Sequence, residues 1–154
     1  MAVQVARRAR WILLFVLAAA IGIQAVRPDR SNPPVDPAHS LLPKVTPDVR
    51  AIITRACVDC HSNETTWPFY SQIAPMSWLL ASHVHQGRDR FNYSEWTTYD
   101  TDEQDKLLGG MCTLTRKGRM PLPSYLLIHR DATLSKDDVA AICAWSEKMR
   151  DTLQ

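Results

Sequence analysis

The sequence predicts a small all-α domain carried behind an N-terminal membrane anchor. Three observations lead there. An apolar run, Trp11 to Val26, directly follows Arg7, Arg8 and Arg10. Four later stretches place apolar residues at helical spacing behind cap residues. The first of those stretches runs straight into the pattern Cys57-Val58-Asp59-Cys60-His61. At 154 residues the chain has room for one domain, and 45% hydrophobic residues with 10 Pro fit a globular, loop-rich protein rather than a disordered one.

The formal net charge of +2 is unevenly placed. Five of the 18 basic residues and one of the 16 acids fall in residues 1–30, so the remainder carries 13 basic against 15 acidic groups. The basic character belongs to the leader, which leaves no patch for a nucleic acid. Arginines ahead of an apolar run keep the N-terminus cytoplasmic and send the rest outward. The sixteen residues of that run, broken only by Gln24, reach roughly 24 Å at ~1.5 Å each, short of a ~30 Å hydrocarbon core. That length suits a short anchor with snorkelling arginines, or a signal peptide. Gly22-Ile23-Gln24-Ala25 is a poor cleavage site, so residues 1–27 are expected to stay as an anchor, with cleavage as the alternative.

Residues 28–45 are rich in proline and read as an extended, semi-stiff tether that holds the domain off the membrane, with His39 solvated. The domain itself is expected over 46–154. Thr46 is a good N-cap and Pro47 suits the first helical position. Val49, Ile52, Ile53 and Ala56 then mark one buried face.

That helix delivers Cys57-x-x-Cys60-His61, the attachment pattern for c-type haem. Each residue has a chemical task. Two thiols one helical turn apart can each add across a haem vinyl group to form a thioether. His61 is placed to offer its imidazole as proximal iron ligand. A thioredoxin-like dithiol would need a βαβ context, and half of a zinc site would need a fourth ligand and usually a second cluster. Neither surrounds the motif.

Trp67 and Tyr70 follow closely, and could contact a haem or simply pack in the core. Pro75 opens a second helix on which Met76, Leu79, Leu80, His83 and Val84 share a face, with Gly87 as its stop and Arg88-Asp89-Arg90 as a solvated edge. Met76 and His83 are alternative sixth ligands, although as core residues they need no such role. A third helix is expected from Thr101 with Gln104 as its capping box, burying Leu107, Leu108, Met111 and either Leu114 or Thr115, and ending at Gly118. Next comes Met120-Pro121-Leu122-Pro123, an extended proline-fixed loop with a free thioether. Met120 is therefore the expected distal ligand. The last helix starts with Ser135 and Asp138 as a capping box and buries Val139, Ile142, Cys143, Ser146 and Met149, flanked by Trp145. His129 before it reads as structural or solvated.

Two cysteines remain. Cys112 and Cys143 sit on the inward sides of two helices in a chain expected outside the cytoplasm, which suggests a disulfide rather than two buried thiols.

Several stretches together resemble the haem-binding domain family of cytochrome c-like bacterial proteins. They are Cys57 to Pro68, Ile73 to Trp78, Asn92 to Trp96, Met120 to His129 and Cys143-Ala144-Trp145. The likeness spans roughly residues 45–150. It implies an all-α, cytochrome c-like domain with one covalent haem c, export, attachment at Cys57, Cys60 and His61, and Met120 as natural distal candidate. The reading that follows is a membrane-tethered, periplasmic electron-transfer protein with a redox partner protein. A haem-based sensor with a labile sixth position is the alternative, and a peroxidase would need His83 as distal base.

Overall fold

The computed structural model describes residues 2–153, and among them the regular structure is all helical, with no strand. Seven α-helices follow in order: α1 (Ala2–Gly22), α2 (Pro47–Ala56), α3 (Val58–His61), α4 (Met76–Arg90), α5 (Thr101–Arg116), α6 (Pro123–Leu126) and α7 (Lys136–Asp151). They divide into two compact units. One comprises residues up to 31 together with 67–83, the other residues 32–66 together with 84–153.

In the first unit, α1 passes into a 3-10 turn over Ile23–Ala25. Gln4–Ala25 is a 22-residue stretch long and apolar enough to cross a membrane, by length and composition. At ~1.5 Å per residue it reaches about 33 Å. The helix begins upstream of Arg7, Arg8 and Arg10, so those side chains extend from its first turns, where they can snorkel toward the interface. The chain leaving α1 is held by residues 71–78. The Gln24 side chain accepts from Ala74 N (2.9 Å) and donates to Ala74 O (3.2 Å). Trp78 Nε1 donates to Val26 O at 2.8 Å, and Arg30 donates to Ser71 O at 2.5 Å.

The second unit holds the core. Val49 and Ile53 of α2, Leu108 and Met111 of α5, and Ile142 and Trp145 of α7 meet Phe91, Tyr93 and Trp96. Leu41 and Val45, inside the stretch expected to be spacer, are buried in the same cluster. Leu41 N also donates to Tyr93 O at 2.8 Å. Its apolar residues thus fasten the end of the proline-rich stretch to the domain, while His39 stays exposed.

Helices α5 and α7 pack against each other in opposite directions. Arg150 Nε donates to Asp105 Oδ1 (2.8 Å) and its Nη2 to Asp105 Oδ2 (3.0 Å), Ser146 Oγ donates to Leu108 O (2.6 Å), and Cys112 is joined to Cys143. The Cα atoms of that disulfide lie 4.7 Å apart. The buried stripe of α5 is Leu108, Met111, Cys112 and Thr115, with Leu114 outward. Asp100, one residue earlier than expected, caps α5: its carboxylate accepts from Glu103 N at 2.8 Å, and Glu103 reaches back to Asp100 N. Both Asp100 and Thr101 are good caps by type. The helix takes Asp100, and Gln104, the residue that would return the bond to Thr101, instead donates its Nε2 to Trp96 O and Tyr99 O at 3.1 and 3.0 Å. Gly118, at φ 62°, stops the chain after α5 in the left-handed region that favours glycine. Ser135 and Asp138 form the expected box on α7.

α4 departs from expectation in two ways. It continues past Gly87 to Arg90, and its buried positions are Ser77, Leu80, Ala81, Val84 and Gly87, while Met76 and Leu79 are exposed. The covered face mixes Leu80 and Val84 with small residues, and at Gly87 the small residue admits a neighbouring backbone.

Candidate functional site

α2 and α3 are almost one helix. The break falls at Cys57, whose φ of −130° turns the chain so that Val58–His61 forms a single further turn. Cys57 and Cys60 are both half-buried and neither is in a disulfide. Burial pushes the Cys57 thiol up to about 12, against the pull of the Tyr93 hydroxyl that hydrogen-bonds to it. Burial, aided by the Asp59 charge, pushes Cys60 up to about 11. Burial thus favours the protonated thiol at both positions.

His61 Nδ1 lies 2.9 Å from the Phe91 carbonyl oxygen. A carbonyl can only accept, so the proton sits on Nδ1 and the Nε2 lone pair is left for a ligand. Burial holds His61 below its ordinary value, and the backbone acceptors at Phe91 and Gly87 oppose this. A neutral imidazole with Nδ1–H fixed to a backbone carbonyl is the form that binds a metal through Nε2. Among the described residues no group of three or more His, Cys, Asp or Glu side chains gathers as a metal site, and no strand supplies a βαβ unit. The zinc and thioredoxin-like readings therefore have no structural support, whereas two thiols and one oriented imidazole fit a haem.

Several residues that hold this site carry no motif signal. A Cβ built on Gly87 would overlap the Cys60 carbonyl oxygen and stand 3.0 Å from its carbon. Gly87 is therefore not a helix stop but the place where α4 touches α3. A lone glycine inside an apolar helical pattern is the signal that could have revealed it. Arg88, expected at a solvated edge, donates to Ser62 O (2.8 Å), Thr65 Oγ1 (2.9 Å) and Asn32 Oδ1 (2.8 Å). Beyond it, Asn92 Nδ2 donates to Asn63 Oδ1 (2.8 Å) and Asn63 N to Ser94 Oγ (3.0 Å). This network clamps the chain that leaves His61.

Met120 is half-buried in a loop whose amides at Arg119 and Met120 both donate to Leu114 O (2.9 and 3.3 Å). Its peptide bond to Pro121 is cis. Five residues on, Tyr125 Oη donates to Asp59 Oδ2 at 3.1 Å, tying that loop to the centre of the Cys-x-x-Cys segment. Asp59 also accepts from Thr66 N (3.0 Å) and, through its carbonyl, from Thr65 Oγ1 (2.7 Å). His129 stacks on Tyr125 with ring centroids 4.1 Å apart. Trp67, Tyr70, Met76 and His83 belong to the first unit. Met76 is exposed there and the other three are half-buried.

No curated protein and no solved structure matches the chain. A family model described as a haem-binding domain matches residues 18–148, most of its length. On that match the chain belongs to the haem-binding domain family.

Proposed function

We propose that the chain is a membrane-tethered, mono-haem c-type cytochrome that transfers single electrons on the outer face of the cytoplasmic membrane. The observation that carries this reading is the His61 Nδ1–Phe91 carbonyl contact beside two unpaired thiols. Cys57 and Cys60 would hold the haem by thioethers, and His61 Nε2 and Met120 Sδ would ligate its iron. When bound, the haem supplies an Fe(III)/Fe(II) couple. The chain's residues do the rest. Phe91 fixes the ring plane of His61 and raises its basicity through the Nδ1–H bond. A thioether at Met120 favours the reduced state and raises the potential. Asp59 and Tyr125 keep the loop bearing that thioether near the attachment segment. α1, with Arg7, Arg8 and Arg10 at its cytoplasmic end, would keep the protein at the membrane.

Absorbance spectra of the purified protein, oxidised and reduced, with and without carbon monoxide, test this. Sharp low-spin bands unmoved by carbon monoxide are expected, and Met120→Ala should turn them high-spin, lower the potential and admit carbon monoxide. Ready carbon monoxide binding by the unaltered protein would instead indicate an open or labile sixth position and a ligand-binding module. A protein produced with working attachment machinery yet lacking a covalent haem spectrum would sink the reading.

A further inference from the structure

The segment 67–83 contains no Asp, Glu, Lys or Arg, although 22% of the chain is charged. It is not a buried segment. Phe69 is 80% exposed, Ile73 52%, Leu79 47% and Met76 38%. Polar exposed surface needs no explanation, but four apolar side chains displayed on 17 uncharged residues do. The same segment is bonded to the chain emerging from α1. Gln24 exchanges two hydrogen bonds with Ala74, Trp78 Nε1 donates to Val26 O, and Arg30 donates to Ser71 O. Gln24 lies within the stretch long and apolar enough to span a bilayer, which ends at Ala25.

We infer that residues 67–83 are a seat on the outer surface of the membrane that α1 crosses, with Phe69, Ile73, Met76 and Leu79 dipping into the boundary between headgroups and acyl chains. This rests on reading α1 as membrane-spanning. If Ala25 marks the end of the hydrocarbon span, residues hydrogen-bonded to Gln24 and Val26 lie at headgroup depth by geometry. An apolar side chain exposed at that depth meets lipid, not water. The residue types agree. Tyr70 and Trp78 are the amphipathic aromatics that settle at this level, and Arg27 and Arg30 supply cations for headgroup phosphates. The burial pattern of α4 agrees too, because Ser77, Leu80 and Ala81 are covered while Met76 and Leu79 are left outward. The anchor is thus not followed by a free spacer; its first residues are locked to a second membrane contact.

The test uses full-length holoprotein in phosphatidylcholine–phosphatidylglycerol vesicles. Spin labels are placed singly through Phe69→Cys, Ile73→Cys and Leu79→Cys, with Lys136→Cys on α7 and Phe15→Cys in α1 as references. In the holoprotein the four native cysteines are taken up by thioethers and the disulfide. Collision with oxygen, which prefers lipid, is compared with collision by a water-soluble nickel chelate. The oxygen-to-nickel ratio at 69, 73 and 79 is expected to exceed that at 136 several-fold and to fall below that at 15. Water-like ratios at those three positions, with 15 in lipid, would overturn the seat and leave the anchor standing. A water-like ratio at 15 would overturn the anchor and the seat together.

Discussion

Replacing Gly87 by alanine is the sharpest probe of how the site is held. In an ordinary helix interior the change is favourable, by about 1 kcal/mol of helix propensity. Here the added Cβ overlaps the Cys60 carbonyl oxygen and stands 3.0 Å from its carbon and 3.3 Å from its Cβ. The first two are backbone atoms of a helical turn, so no side chain can swing aside. α4 must retreat from α3 by roughly 1 Å, and overpacking of this kind costs about 1–3 kcal/mol or more. With a backbone atom as obstacle the upper end applies, which leaves a net loss of about 2 kcal/mol after the propensity gain. The retreat also carries the Phe91 carbonyl away from His61 Nδ1, because both contacts lie on the same end of α4. Denaturant unfolding gives the stability, and in-gel detection of covalent haem gives the loading. Gly110→Ala is the matched control, since nothing lies within 4 Å of its Cβ position in α5. It should stabilise by about 0.5–1 kcal/mol. If Gly87→Ala behaves like Gly110→Ala in both assays, the close approach of α4 to α3 is wrong.

Three further outcomes are expected. Tyr125→Phe removes the 3.1 Å bond to Asp59. A bond to a charged group is worth about 1.5–3 kcal/mol, so stability should fall by up to that much, with faster carbon monoxide binding to the reduced protein as the Met120 loop loosens. The double variant Cys112→Ser, Cys143→Ser opens a loop with a separation of 31 residues. On the chain-entropy estimate it should lose ~3–4 kcal/mol in denaturant melts. Asp138 is held below its ordinary value, first by the Ser135 amide, then by the Ser135 hydroxyl and Arg55. Its contribution is therefore complete above its unfolded value of 3.8 and is lost as pH falls through the lower folded value. Asp138→Asn should cost about 1 kcal/mol in melts at pH 7, and the gap to the parent protein should close in strong acid.

The helices were legible because each carries both a periodic face and a cap. Pro47 at the first position of α2, Ser135 with Asp138, and Gly118 act as their residue types dictate, whereas Thr46 stands at the N-cap without a side-chain capping bond. Legibility ends where two choices of equal local merit compete. Asp100 and Thr101 are separated only by what lies three residues on, and Leu114 and Thr115 only by the partner helix. At α4 the apolar count was misleading for a physical reason. Periodicity scores hydrophobicity, while the close approach of the Cys60 backbone selects glycine at position 87. The candidate site was legible as a five-residue pattern, Cys57 to His61. Its scaffold was not, because a backbone carbonyl such as that of Phe91 has no sequence signature at all.

That division has a structural cause. α3 is one turn, Val58–His61, and a single turn fixes several dihedrals for almost no internal hydrogen bonding. It cannot hold two thiols and an imidazole in register by itself, so the order must come from outside. The residues that supply it lie close together in the chain. Gly87 admits the Cys60 carbonyl, Arg88 holds Ser62, Phe91 orients His61, and Asn92 holds Asn63. The Tyr93 hydroxyl faces Cys57 and donates to Met111 Sδ at 3.1 Å, and Tyr99 Oη accepts from Asn92 N at 2.9 Å. The end of α4 and the turn after it are thus the mould into which the attachment segment is pressed. A substitution there should impair haem loading as severely as one in the motif, while leaving all five motif residues in place.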